Sequence, residues 1–152
     1  MKTLISLSFV FLLSCSATPS GGNSGEGLDG GLKDGEGASF TQNKLTSPGN
    51  FKNSDIYAVE NGPEGLKLIS GGPNSTEPSP VNWFKSGGKA QTFGSLAEVP
   101  NTKPSDTDTT SLPHAKTGNG FVVKNNMGFG HTRGWISYAD AETVIIEYSH
   151  LD

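Results

Sequence analysis

The chain has 152 residues, which suits one ordinary domain, and a net charge of −4. Its lysines are scattered and Arg133 is its one arginine, so the sequence lacks the clustered cations that a nucleic acid partner requires. The 21 glycines and 9 prolines disfavour long helices, and the single cysteine, Cys15, excludes an intrachain disulfide.

Met1-Lys2-Thr3 carries one positive charge and leads into an apolar run, Leu4 to Leu13. That run has the length of an export signal's core, about 7–15 residues. It falls short of the roughly 20 residues needed to cross a bilayer. Leu12-Leu13-Ser14-Cys15 resembles the lipobox of bacterial lipoproteins, the motif cut by signal peptidase II. Leu12, Ser14 and Cys15 match that pattern, and Leu13 is bulkier than usual. The resemblance covers residues 1–15. It implies removal of residues 1–14, transfer of a diacylglycerol to the Cys15 thiol, and acylation of the new amino terminus. Each buried methylene contributes about 0.8 kcal/mol, so two or three chains on Cys15 hold a protein to a lipid bilayer where one does not. Ser16 in place of Asp implies the outer membrane of a cell envelope, with the chain facing the periplasm or the surface.

Residues 15–37 read as a disordered, glycine-rich tether. Beyond Cys15 it holds three apolar residues, Ala17, Leu28 and Leu32, too few to offset the entropy of ordering so much glycine. Its typical span is about 25 Å. Asp29, Asp34 and Glu36 match the spacing of neither an EF-hand nor a glycine-rich calcium repeat.

Residues 38–152 read as a single β-rich domain. Ile56–Glu60 and Leu66–Ser70 flank the turn cluster Asn61-Gly62-Pro63-Glu64-Gly65, which predicts a hairpin. Residues 71–80 read as a loop, and Val81–Lys85 as a strand. Gln91–Val99 fits either a strand or a short helix over Ser95–Glu98. Asn101–Thr117 reads as a long polar loop. Gly118-Asn119-Gly120 marks a tight turn before the strand Phe121–Lys124, and Arg133–Tyr138 is another strand. In Thr143–Tyr148, Val144, Ile146 and Tyr148 alternate with Ile145 and Glu147, as a half-buried strand requires. The sum is a mainly β fold, a small antiparallel sandwich or partly open barrel. Ala115–Asn125, with Gly118-Asn119-Gly120-Phe121-Val122 at its centre, resembles the C-terminal half of small uncharacterised lipoproteins of Bacteroidetes. That resemblance implies no activity.

No motif specifies a reaction. His114, His131 and His150 share no zinc-ligand spacing, so neither metal nor cofactor is expected. The nucleophile-elbow pattern Gly-x-Ser-x-Gly does not occur. Asp106 and Asp108 sit in a polar loop unsuited to a rigid carboxylate pair. Asp108-Thr109-Thr110 resembles the O-glycosylation pattern of exported Bacteroidetes proteins. Gly128–Gly134 falls short of a phosphate-loop pattern and reads as a glycine-rich hairpin or bulge. If that stretch is exposed, His131, Arg133 and Trp135 line a small ligand-binding site. Trp83, Phe84, Trp135 and Tyr138 read as core aromatics before carbohydrate platforms. The leading expectation is therefore a membrane-anchored domain that binds an envelope protein or glycan without catalysis. A small glycan or peptide hydrolase is the first alternative; it predicts His114 or His131 near a carboxylate in a cleft. A carbohydrate-binding module is the second, and predicts exposed, coplanar aromatics.

Overall fold

The computed structural model describes residues 25–28, 30–49, 51–71, 81–86, 89–105, 111–112, 114–126, 128 and 130–151. The signal, Cys15, Asp106, Asp108 and the 72–80 loop lie outside them. Twelve strands follow in chain order: β1 (Glu26–Gly27), β2 (Gly37–Ser39), β3 (Lys44–Thr46), β4 (Ile56–Glu60), β5 (Leu66–Ser70), β6 (Val81–Trp83), β7 (Lys85–Ser86), β8 (Lys89–Ala90), β9 (Ser111–Leu112), β10 (Gly120–Lys124), β11 (His131–Ala139) and β12 (Val144–Leu151). The helical turns are three-residue 3-10 pieces, among them Gly62–Glu64 and Leu96–Glu98.

Ten of these strands form two antiparallel five-stranded sheets. One has the order β1-β12-β11-β10-β6, the other β3-β2-β4-β5-β9. The hairpin β7–β8 stands apart. The sheets are open and pack as a small β sandwich, which selects the first of the two architectures expected from the sequence.

Alternation decides what each sheet buries. On β12, Val144, Ile146 and Tyr148 point into the core and Ile145 points out, as the sequence predicts. On β5, Leu66, Leu68 and Ser70 point inward. Tyr57 pairs with Ile69 and Ile56 with Ser70, so the predicted hairpin forms with the expected bounds. Phe40, Phe121, Tyr148 and Trp83 meet between the sheets, with ring centroids 4.9–6.1 Å apart. Such pairs contribute about 0.5–1.5 kcal/mol each beyond the area they bury. The Phe121 ring lies over Gly134 on the neighbouring strand, where a Cβ would stand 2.2 Å from it. The glycine makes room for the aromatic.

The tether boundary needs correction. Leu28 and Leu32, read as part of a disordered segment, are buried in the core. β1 pairs with β12, and Leu32 exchanges backbone hydrogen bonds with Val144 at 2.7 and 2.9 Å. Asp34 accepts from the Glu60 amide and Glu36 from the Lys33 amide, so both carboxylates serve the backbone. Two buried leucines and a run of edge hydrogen bonds thus hold a glycine-rich stretch that has little structure of its own. The domain begins by residue 25 and not at 38. The expected loop 101–117 also contains β9, paired with β5 through Leu68 and Leu112. The expected strand 81–85 is interrupted at Phe84, whose amide donates to Gly120 before β7 begins.

Candidate functional site

His131, Arg133 and Trp135 alternate along β11 and so share the outer face of the first sheet. They do not form an open site. Residues 93–103 run across that face as a strap, with Phe93, Leu96 and Val99 buried. Arg133 is 5% exposed. Its guanidinium donates to the Val99 carbonyl (3.2 Å), to Asn101 Oδ1 (3.0 Å) and to Ser149 Oγ (3.2 Å). The Trp135 indole donates to the Phe93 carbonyl at 3.0 Å. Arg133 thus ties the strap at Val99 and Asn101 to β12 at Ser149, and Trp135 ties it at Phe93. His131 is half-buried at the rim; burial, with Lys103 and Lys124 nearby, pushes its pKa below the usual imidazole value. The three residues share one face, where Arg133 and Trp135 hold the strap and His131 stands at its rim.

Trp83 is buried on the inner face, opposite Phe121. Trp135 is on the outer face, opposite Gly120. The two tryptophans face opposite sides of one sheet and make no common stacking platform. Among the described residues, no three histidine, cysteine or carboxylate groups gather as a metal site.

The opening of interest lies at the seam between the sheets, where β6 and β9 are the edge strands. The β7–β8 hairpin leaves β6 there, with Lys85 paired to Ala90. Thr92 then bridges to Asn119. These elements enclose a cavity of about 470 Å³. The hairpin contributes Lys85, Lys89 and Ala90, and the chain after β9 contributes His114 and Lys116. Leu112, Thr92 and Asn119 complete the lining. The volume lies within the range of small-molecule sites, about 300–1,000 Å³.

Asn119 shapes this pocket without offering it a free group. Its side-chain oxygen accepts from the Lys116 amide at 3.0 Å and its nitrogen donates to the Gln91 carbonyl at 3.3 Å. His114 is tied outward. Its Nε2 is 2.9 Å from Glu64, and its Nδ1 is 3.3 Å from the Asn61 amide nitrogen. An amide donating to Nδ1 places the ring proton on Nε2, which then donates to Glu64. Both nitrogens engage the β4–β5 loop, and no lone pair of the ring is left to act as a base in the cavity.

The electrostatics are one-sided. Three of the chain's ten lysines line this single cavity, although the chain as a whole is negative. Among the described residues, neither Lys89 nor Lys116 has a carboxylate partner. Glu64, held to His114, is an opposing charge beside the pocket. Sequence reasoning missed the pocket because its lysines are 4 and 27 positions apart and meet only through strand pairing. One signal was available: Gly87-Gly88 between two short polar runs is a two-residue hairpin pattern.

No protein-family model matches the chain, and no curated protein or solved structure matches it.

Proposed function

We propose that the chain is a lipid-anchored protein of the bacterial cell envelope whose β domain binds a small ligand, with the seam pocket as its site. The observation that carries the binding role is the lysine-lined cavity of about 470 Å³. The anchor rests on the lipobox resemblance at Leu12–Cys15. With residues 25–28 and 30–37 inside the fold, the expected tether loses its second half. A shorter tether would keep the domain close to the membrane that anchors Cys15.

Two experiments test this. Palmitate labels the wild type in cells and fails to label Cys15→Ala; equal labelling overturns the anchor. For the site, calorimetric titration of the full chain uses glucose, maltotriose, glucuronate and glucose 6-phosphate. At least one binds, and Thr92→Trp, which fills the cavity mouth, abolishes that binding. Failure of the whole panel, or binding unchanged by Thr92→Trp, overturns the site.

One observation favours a second reading, a small hydrolase: His114 lies 2.9 Å from a carboxylate beside a pocket. It predicts turnover of a glycan or peptide that His114→Ala eliminates. The filled Nδ1 speaks against it.

A further inference from the structure

We propose that the seam pocket selects an organic anion, a phosphate ester or carboxylate on a small body, and that Glu64 restrains its affinity. The inference rests on the pocket being the binding site and adds the chemistry of the ligand. Lys85 and Lys89 come from β7 and β8, and Lys116 from the segment after β9. Three lysines line one cavity of a protein whose net charge is negative, which biases that cavity towards anions. Lysine is a compact charge on a flexible stem, without the planar fork by which arginine matches one oxyanion geometry. The pocket therefore accepts a tetrahedral phosphate or a planar carboxylate. Ala90 and Leu112 supply apolar wall for the body of the ligand. A neutral sugar gains hydrogen bonds from the lysines but no ionic attraction, so the lysines discriminate by charge.

Glu64 gives the proposal a second, opposite sign. It sits in the 3-10 turn Gly62–Glu64 and is held to His114, which lines the pocket. Its negative charge opposes any anion that enters. Removing that charge while keeping the shape should strengthen binding, whereas a merely structural role for the His114–Glu64 pair would weaken it.

The test is calorimetry on the full chain at low salt with three probes sharing one body: glucose 6-phosphate, glucuronate and glucose. At least one anionic probe binds about tenfold or more tighter than glucose, and its affinity falls as salt rises. Which anion is preferred separates a phosphate ester from an acidic sugar. K89Q/K116Q weakens the anion by about tenfold. K33Q/K44Q, which removes two exposed lysines elsewhere, leaves it unchanged. E64Q strengthens it by about threefold. Glucose binding as tightly as the anions, with Thr92→Trp still blocking it, overturns the charge selectivity and leaves the site standing. Binding that survives both Thr92→Trp and K89Q/K116Q overturns both. Weaker binding in E64Q overturns the restraint.

Discussion

Replacing Arg133 with methionine tests whether this residue holds the strap over the outer face. Methionine keeps an unbranched apolar stem of similar reach and removes the guanidinium. Three acceptors then lose their donor: the Val99 carbonyl, Asn101 Oδ1 and Ser149 Oγ. The bond to Val99 is buried, and an orphaned buried acceptor costs about 1–3 kcal/mol. The other two acceptors are partly exposed and regain water, so each loses about 0.5–1 kcal/mol. Arg133 has no carboxylate partner among the described residues, so its removal also relieves the burial of an uncompensated charge, which offsets part of the loss. The net expectation is about 2–3 kcal/mol, or a fall of roughly 1–1.5 M in the urea midpoint at a slope near 2 kcal/mol/M. Hydrogen exchange should rise first at the amides of Phe93 and Val99, which bond to Gly118 and Leu96. An unchanged midpoint with unchanged exchange over 93–103 would refute the structural role and return Arg133 to the list of ligand contacts.

Three further outcomes follow from the same structure. Leu32→Ala should lower stability by about 3 kcal/mol in urea unfolding, because Leu32 is 1% exposed in the core; a tether residue would give no change. Asp55 accepts from the amides of Phe40 and Asn126, linking the end of β2 to the turn after β10. Asp55→Asn cannot accept both as an ion and should lower stability by about 2–4 kcal/mol, measured in the same way; a loss within error would show that the link is unimportant. His131 titrates below its unfolded value in the folded chain, so folding favours its neutral form. Its contribution is fully present above the unfolded pKa near 6.5 and is lost as pH falls through the folded pKa. His131→Gln should therefore flatten the acid side of the stability profile between those values, and an unaltered profile would contradict the assignment.

The sandwich was legible where a strand carries its own pattern. β4, β5 and β12 have alternating or β-branched residues between clear turn signals, and all three form as strands, β12 with the expected faces. β1 and β2 carry almost no side-chain signal; glycines dominate, and Leu28 and Leu32 are too far apart to show a period. The order of β1 comes from a partner more than a hundred residues away, as the contact between Tyr148 and Glu26 at 2.9 Å illustrates, and that of β2 from β3 and β4. The same limit governs the sites. Spacing shows that His131, Arg133 and Trp135 share a face, but not that residues 93–103 cover it. Lys85, Lys89 and Lys116 look unrelated until β7–β8 and the segment after β9 are set at one seam.

The most direct test of the account is to map, residue by residue, where glucose 6-phosphate touches the chain, using amide chemical shifts during a titration. The account predicts saturable shifts at Lys85, Lys89, Thr92 and the stretch from His114 to Asn119, with His131 to Trp135 unmoved. Shifts centred on His131 to Trp135, or none that saturate, would contradict it.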